Sequence, residues 1–198
     1  GMRFGLDRMR RLLVALGEPQ ERFGAVHVVG TNGKSSTVRM IAAILRAHGL
    51  RTGAYLSPHL VSFTERVRVD DRDLAPDLFA EAVRRAAAAA AKVDRTLPPD
   101  DGVTQFEALT AAAFWAMAEA GVDAGVIEAG LGGRWDATNV IGARVAVLTN
   151  VGLEHTRWLG PTVRDIAREK LAVVRPGGTL VLGPDMHPDA VEEAQRTP

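Results

Sequence analysis

A glycine-rich stretch with a lysine lies where a predicted buried strand passes into a predicted helix. Residues 30–37 read Gly-Thr-Asn-Gly-Lys-Ser-Ser-Thr and follow a β-branched run at 25–29. Glycines at such a turn let backbone N–H groups converge on an anion, and the helix N-terminus adds partial positive charge. The lysine would reach the terminal phosphates, and a following hydroxyl would hold Mg²⁺. The pattern predicts a nucleotide phosphate site built from Gly30, Thr31, Asn32, Gly33, Lys34, Ser35, Ser36 and Thr37.

The spacing matches the short form Gly-x-x-Gly-Lys-Ser. It does not match the full Walker A pattern, which needs a glycine where Val28 stands. The alternative interpretation is an ordinary glycine turn in which serine caps a helix. We favour the phosphate site, because strand, loop and helix follow one another in the required order.

Two further polar residues lie at or just beyond the carboxyl ends of predicted strands. Glu128 ends the buried run at 124–128, and His155 comes after the strand predicted at 145–149. Open α/β sheets bind ligands at the carboxyl ends of their strands. A buried unpaired carboxylate is costly, so a metal partner is the functional interpretation of Glu128, and an exposed glutamate at the strand end is the alternative. We expect the two strands to be adjacent, which would bring His155 near Glu128, although a single histidine is more often structural.

The whole chain alternates between helix and strand, which is typical of a parallel sheet covered by helices. Apolar runs predict strands at 25–29, 51–56, 63–69, 124–128, 145–149 and 179–182. The third of these is expected at a sheet edge. Helical periodicity predicts helices at 6–16, 34–48, 74–91, 103–120, 163–174 and 188–195. On the helix after the phosphate loop, the residues expected to face the core are Val38, Ile41, Ile44 and Leu45. The fold class is therefore α/β, with residues 1–198 in one domain.

The composition excludes several classes of protein and site. The 198 residues carry 24 Lys and Arg against 24 Asp and Glu, so nothing predicts general attraction to nucleic acid or to an anionic membrane. Cysteine is absent, which excludes a disulfide framework, a thiol nucleophile and a Cys-ligated zinc. No apolar signal segment is visible, Gly1 before Met2 resembles a cloning remnant, and the longest apolar stretch is an alanine run at 86–91. We expect a cytoplasmic protein with no nucleic-acid or membrane partner.

Several motifs, in order along nearly the whole chain, resemble one enzyme family. The stretch at 30–34 is similar to the Mur ligase superfamily, and Ser-Pro-His-Leu at 57–60 narrows the resemblance to the folylpolyglutamate synthase and dihydrofolate synthase family. The most specific match is Glu-Ala-Gly-Leu-Gly-Gly-Arg-Trp-Asp-Ala-Thr-Asn at 128–139. Leu-Glu-His-Thr at 153–156 and Ile-Ala-Arg-Glu-Lys at 166–170 agree with it. The resemblance implies the three-layer, P-loop NTPase-like fold of the Mur ligase central domain, with a mostly parallel sheet flanked by helices.

The resemblance also implies an activity and a set of site residues. The enzyme would be an ATP-dependent ligase that adds L-glutamate to folate or dihydropteroate through an acyl phosphate, with Mg²⁺ in up to two sites. The catalytic residues carried over are Lys34, Asp136, His155 and Lys170. The metal ligands carried over are Ser36, Ser57, Glu128 and His155. Ordinary turn chemistry is an equally good explanation of Asp136.

Lys170 has a special role in the family that the chain resembles. The equivalent lysine is carbamoylated, which turns a cation into an anionic group. Carbamoylation requires the neutral amine, so the physical prerequisite is a partly buried lysine with a lowered pKa. The alternative is a solvated charge beside Arg168 and Glu169.

The chain departs from the family pattern at two positions. Ser35 stands where the family usually has glycine, and Glu154 stands where it usually has aspartate. The family pattern places the metal hydroxyl at Ser36, whereas general P-loop geometry favours Ser35.

Members of this family are longer than the present chain and have a C-terminal domain that closes over ATP and receives glutamate. We therefore expect the 198 residues to be the N-terminal ATP-binding portion of a monomeric enzyme, without its C-terminal domain. We expect this portion to bind ATP and Mg²⁺ weakly and not to ligate by itself. The alternatives are another Mur-type amino-acid ligase and a stand-alone nucleotide- or pterin-binding module without ligase activity.

Overall fold

The computed structural model describes residues 5–197, in which seven strands form one sheet. The strands are β1 (Gly24–Val29), β2 (Thr52–Tyr55), β3 (Val67–Val69), β4 (Arg72–Asp73), β5 (Ala124–Glu128), β6 (Val145–Leu148) and β7 (Thr179–Leu182). They lie in the order β4-β3-β2-β5-β1-β6-β7. Five strands run parallel, and β3 and β4 pair antiparallel at one side. The mostly parallel sheet expected from the sequence is confirmed. Gly1, the expected cloning remnant, lies outside the described residues.

Seven α-helices connect or follow these strands within residues 5–197. They are α1 (Asp7–Ala15), α2 (Lys34–Ala47), α3 (Pro76–Asp94), α4 (Gln105–Glu119), α5 (Thr156–Leu159), α6 (Val163–Leu171) and α7 (Pro188–Gln195). Short 3₁₀ helices form at Pro19–Arg22, Phe63–Arg66 and Ala137–Val140. The strand at 124–128 and the helix at 188–195 have the bounds expected from the sequence, and α5 was not expected.

The helices form layers on both faces of the sheet. Side chains alternate between faces along a strand, so Val126 and Ile127 of β5 point to opposite sides. Ile127 belongs to the core built with α1, α3 and α4, whereas Val126 packs with Val38 of α2 on the other face. The same alternation on β1 places Val28 with α2 and Val29 with α6 and α7. The expected three-layer arrangement is therefore confirmed.

The position of β1 corrects one expectation. β1 pairs with β5 on one side and with β6 on the other, aligning Val28 with Glu128 and Val29 with Leu148. The strands that precede His155 and end at Glu128 are therefore not adjacent, because the phosphate-loop strand lies between them. This arrangement places the end of β1 between the ends of the two strands.

The segment at 63–69 also differs from expectation. Its first four residues, Phe63–Arg66, form a 3₁₀ helix, because Ser62 and Glu65 make a reciprocal capping box at its start. Only Val67–Val69 forms a strand, and β4 rather than β3 is the edge of the sheet.

On α2, Ile44 is 58% exposed and does not face the core as expected. The buried face of this helix is formed by Val38 and Ala42. Ile44 lies two residues beyond Ala42, which is about 200° around a helix of 3.6 residues per turn.

Of the helices between residues 5 and 197, none has the length and apolar character to span a bilayer.

Candidate functional site

The glycine-rich turn between β1 and α2 has a backbone that suits glycine alone. Gly30 has a φ of 150° and Gly33 a φ of 76°, and L side chains rarely adopt either value. A Cβ atom added to Gly30 would lie 1.8 Å from the Thr149 hydroxyl oxygen. The Asn32 N–H donates to the Asn150 side-chain oxygen at 2.9 Å, which ties the turn to the end of β6. The turn therefore presents the N-terminus of α2 in a fixed direction, which is the geometry that binds anions.

Lys34 begins α2, and its side chain folds back over the turn. Its Nζ donates to the Gly30 carbonyl oxygen at 2.9 Å and to the Thr31 carbonyl oxygen at 3.1 Å. The residue is half-buried. Its ammonium group therefore lies beside the loop that would surround a nucleotide phosphate.

Glu128 lies at the carboxyl end of β5 and is 2% exposed. One carboxylate oxygen, Oε1, accepts a hydrogen bond from the Ser35 hydroxyl at 3.0 Å. The other, Oε2, accepts one from the Ser57 backbone N–H at 3.2 Å. Burial raises the pKa of this carboxyl, against the effect of these hydrogen bonds and of the charge on Lys34. A divalent cation would compensate a buried carboxylate of this kind, and Mg²⁺ prefers such oxygen ligands.

The two serines after Lys34 differ in their surroundings. Ser35 is half-buried and touches Glu128, whereas Ser36 is exposed, and its side chain makes no hydrogen bond within residues 5–197. The structure therefore brings together the hydroxyl that P-loop geometry favours and the carboxylate at the end of β5. Thr37 follows within the first turn of α2, where its N–H donates to the Gly33 carbonyl oxygen at 3.0 Å.

The segment after β2 lies at the same end of the sheet. Ser57 is half-buried and contributes its backbone N–H to Glu128. Further along, the Arg66 guanidinium donates to the His59 Nδ1 at 3.0 Å, and the His59 ring lies 4.1 Å from the Phe63 ring. These contacts give the loop an ordered polar and aromatic side.

His155 is exposed and has a φ of 45° at the start of α5. Its carbonyl oxygen accepts from the backbone N–H groups of Trp158 and Leu159 at 2.7 and 3.0 Å. Across residues 5–197, no three His, Asp or Glu side chains form a group that could hold a metal ion. The oxygen donors that the structure gathers are the Glu128 carboxylate and the Ser35 hydroxyl. They suit Mg²⁺, which usually keeps several waters and needs few protein ligands.

Lys170 is buried in α6 with only 1% of its surface exposed. Its Nζ donates to the Glu154 carboxylate at 2.6 Å and to the Gly30 carbonyl oxygen at 2.9 Å. Burial lowers the pKa of Lys170, and the contact with Glu154 opposes that effect. Burial alone would raise the pKa of Glu154, but the hydrogen bond and charge of Lys170 hold it below its usual value. The alternative of a solvated Lys170 is therefore wrong.

Asp136 holds the glycine-rich loop after β5. One of its oxygens, Oδ2, accepts from the Leu131 N–H at 2.7 Å, and Oδ1 accepts from the Thr138 N–H at 3.0 Å. The side chain is buried, and burial raises its pKa. The loop also lies against α6, where the Arg134 N–H donates to the Glu169 carbonyl oxygen at 2.9 Å. The loop that contains Asp136 is therefore fixed to the helix that contains Lys170.

A cleft of about 380 Å³ opens beside this loop. Its walls include Phe106, Leu131, Trp135, Asp136, Arg8 and Glu107. The Arg8 guanidinium donates to the carboxylates of Glu107 at 3.2 Å and Asp101 at 3.0 Å. The cleft thus combines mostly apolar walls with a charged end.

Sequence reasoning missed the Arg8–Glu107 pair and the Lys170–Glu154 pair. The first pair joins residues that are far apart in the chain, and local periodicity contains no signal for such a contact. For the second pair, the unusual glutamate before His155 was the available signal.

Comparisons with known proteins agree with this geometry. The Mur ligase middle domain matches residues 28–197. The chain is 40% identical over 191 residues to the dihydrofolate synthase/folylpolyglutamate synthase of Mycobacterium tuberculosis, covering 94% of this chain and 38% of that protein. It is 40% identical over 192 residues to the enzyme of the same name from Escherichia coli, covering 96% and 44%.

Solved structures show the same fold. M. tuberculosis folylpolyglutamate synthase complexed with ADP and AMPPCP superposes with a TM-score of 0.91 at 38% identity, covering 98% of this chain and 44% of that one. E. coli FolC in complex with DHPP and ADP superposes with a TM-score of 0.86 at 36% identity, covering 99% and 46%. The chain spans 38% and 44% of the lengths of the M. tuberculosis and E. coli relatives. Fold, motif order and matched residues together show that the chain belongs to the Mur ligase middle domain family.

Proposed function

We propose that this chain provides the nucleotide- and metal-binding part of an ATP-dependent ligase that joins L-glutamate to a folate or dihydropteroate acceptor. The observation on which the proposal mainly rests is the contact between Ser35 and the buried Glu128 at 3.0 Å, directly after the phosphate turn. Relatives named dihydrofolate synthase/folylpolyglutamate synthase, similar over more than nine-tenths of the chain, support the same activity.

In this proposal the turn at 30–33 and the first turn of α2 bind the β- and γ-phosphates through backbone N–H groups. When the nucleotide binds, the Lys34 ammonium group gives up its hydrogen bonds to the loop carbonyl oxygens and donates to phosphate oxygens instead. Structures of relatives with ADP and AMPPCP support nucleotide binding by this fold. A lysine and oriented N–H groups stabilise the charge that spreads over a transferring phosphoryl group.

Glu128 and Ser35 are the residues that would hold Mg²⁺, which supplies charge neutralisation at the phosphates. Ser57 lies beside Glu128 and is proposed to complete this side of the site. His155 follows Glu154, whose carboxylate contacts Lys170, and we propose its side chain as the group that would serve a second Mg²⁺. Ser36 lies in the first turn of α2, where its backbone N–H can contribute to the phosphate site.

We propose that the acceptor lies in the cleft beside Asp136. Phe106 and Trp135 offer apolar and aromatic surface to a flat heteroaromatic ring, and the charged end at Arg8 and Glu107 can pair with its polar edge. The structure of E. coli FolC with DHPP and ADP supports an acceptor site in a protein of this fold. Asp136 acts by shaping the cleft wall, since its carboxylate already holds the loop backbone.

The proposed reaction has two steps. A carboxylate oxygen of the acceptor attacks the γ-phosphorus of ATP, the bond to the β-phosphate oxygen breaks, and ADP leaves. The amine of L-glutamate then attacks the acyl carbon, inorganic phosphate leaves with the C–O bond electrons, and the amine loses a proton to solvent. The Lys34 ammonium group stabilises the negative charge on the transferring group by its position.

Lys170 is the proposed site of carbamoylation. Burial lowers its pKa, which raises the fraction of neutral amine that can react with CO₂. An anionic carbamate beside the Glu154 carboxylate would be repelled, so Glu154 must withdraw when the group forms. We therefore expect intact-mass measurement in bicarbonate to show a larger carbamoylated fraction in Glu154→Gln than in the wild type. An unmodified Lys170 in both proteins would rule out the modification.

The test of the function uses the chain as it stands. Calorimetry is expected to show binding of ATP with Mg²⁺ and of dihydropteroate. We propose that the 198 residues do not ligate alone, since the relatives named for the activity are more than twice as long. If the chain fails to bind ATP with Mg²⁺, or fails to bind dihydropteroate, the proposed function is contradicted. Product that depends on ATP and glutamate would support the function and overturn only the claim that these residues are inactive alone.

A further inference from the structure

His27 lies on β1, the strand that leads into the phosphate turn, and its side chain is fully buried. Its Nε2 lies 2.7 Å from the Thr138 hydroxyl oxygen. Its Nδ1 has no hydrogen-bond partner among the residues described. Burial, together with the charge of Arg175, lowers the pKa of His27 to about 3, so the ring is neutral near neutral pH.

Thr138 continues the contact into the glycine-rich loop. Its hydroxyl donates to the Asp136 Oδ1 at 2.5 Å, and the other oxygen of Asp136 accepts from the Leu131 N–H at 2.7 Å. Since the Thr138 hydroxyl proton is directed to Asp136, its oxygen is available as an acceptor for His27. The one proton of the neutral ring is therefore on Nε2. This tautomer leaves an acceptor unpaired at Nδ1, and buried unpaired acceptors are tolerated better than buried unpaired N–H donors.

We propose that His27 is a positioning residue for the acceptor cleft. Its Nε2–H fixes the Thr138 hydroxyl, Thr138 fixes Asp136, and Asp136 fixes the backbone of Leu131 in the cleft wall. This inference rests on the proposed function for the identity of the ligand, but the hydrogen-bond relay itself does not. Both Leu131 and Asp136 line the cleft, so a shift in either changes the surface that the acceptor meets.

Two pairs of variants separate the relay from packing. In His27→Gln the amide nitrogen can donate as Nε2 does, whereas His27→Leu has no donor. Thr138→Ser keeps the hydroxyl, whereas Thr138→Val has nearly the same shape without it. His48→Leu is the control, because His48 is exposed at the end of α2.

The first measurement is amide hydrogen exchange at Leu131, resolved by NMR. We expect exchange at Leu131 to be about tenfold faster in His27→Leu and Thr138→Val, and close to wild type in the other three variants. The second measurement is calorimetry with dihydropteroate and, separately, with ATP. We expect dihydropteroate to bind about tenfold more weakly in the same two variants, with ATP affinity changed by less than about twofold.

If His27→Leu or Thr138→Val fails to fold, the wild type alone still tests the relay through the imidazole nitrogen signals. An Nε2–H tautomer that persists at mildly acidic pH is expected, and an Nδ1–H tautomer or a charged ring would overturn the inference. If the wild type binds dihydropteroate but His27→Leu and Thr138→Val bind it equally well, the positioning role is wrong. If the wild type binds no dihydropteroate while Leu131 exchange follows the expected pattern, the proposed function fails and the relay stands.

Discussion

Lys34 and Lys170 donate hydrogen bonds to the same atom, the carbonyl oxygen of Gly30, each at 2.9 Å. The two side chains come from different helices, α2 and α6, and converge on the phosphate turn. Like charges that share one acceptor repel each other, and Glu154 pairs with Lys170 at 2.6 Å. An anion at the turn would relieve this repulsion. We therefore expect the turn to attract phosphate through local charge, although the formal net charge of the chain is zero.

Removing one member of the Lys170–Glu154 pair should destabilise the fold. Lys170→Met leaves Glu154 partly buried without its cation, and we expect the free energy of unfolding to fall by about 3 kcal/mol. The double variant Lys170→Met/Glu154→Gln should recover part of that loss, because no unpaired carboxylate is left. Urea unfolding measures both. Equal stability of the single variant and the wild type would show that the pair is unimportant.

Ser35 and Ser36 provide a matched comparison at the proposed metal site. Ser35→Ala removes the hydroxyl that touches Glu128, and we expect the affinity for ATP in the presence of Mg²⁺ to fall about tenfold. Ser36→Ala removes an exposed hydroxyl and should change this affinity by less than about twofold. Calorimetry at saturating Mg²⁺ distinguishes them. The reverse order of effects would assign the metal hydroxyl to Ser36.

The buried His27 predicts a pH dependence of stability. Its folded pKa of about 3 lies below the unfolded value of 6.5, so the unfolded chain binds the extra proton first as pH falls. The contribution of the neutral His27 ring to the free energy of unfolding is complete above the unfolded pKa. It decreases as pH falls towards the folded pKa, with a slope of about 1.4 kcal/mol per pH unit. His27→Gln should lack this part of the slope. Urea titrations from about pH 7 to about pH 4 compare the two proteins. Parallel curves would contradict a neutral buried ring.

The glycine-rich loop after β5 lies close to α6, which predicts the effect of adding a methyl group at Gly133. A Cβ atom there would lie 2.7 Å from the carbonyl oxygens of Glu169 and Lys170, both of which are backbone atoms. We expect Gly133→Ala to lower the free energy of unfolding by about 1–3 kcal/mol. Gly142→Ala is the control, because nothing lies within 4 Å of a Cβ atom at that position. A loss no larger at Gly133 than at Gly142, measured by thermal or urea unfolding, would show that the loop can move away.

The sequence predicts the elements whose patterns are local. β5 is a short apolar run ending at Glu128, and its bounds are as expected. α7 starts with a proline after a capping histidine, and its bounds are also as expected. The alternating pattern at 63–69 predicts a strand, but the capping box between Ser62 and Glu65 makes its first four residues, Phe63–Arg66, a 3₁₀ helix.

The order of the strands is not contained in such local patterns. Glu128 ends β5 and His155 comes after β6, the next strand along the chain, yet β1 lies between those strands in the sheet. Contacts between distant residues are equally hidden. The ion pair between Lys170 and Glu154 and the hydrogen bond between His27 and Thr138 depend on how the sheet and helices assemble.

We propose Glu128 as the carboxylate that couples Mg²⁺ to nucleotide binding. Calorimetric titration of ATP into the wild type and into Glu128→Gln, with and without Mg²⁺, tests it. We predict that Mg²⁺ strengthens ATP binding by about tenfold or more in the wild type and has little effect in Glu128→Gln, while affinity without Mg²⁺ is similar in both. The same Mg²⁺ dependence in both proteins would contradict this role of Glu128.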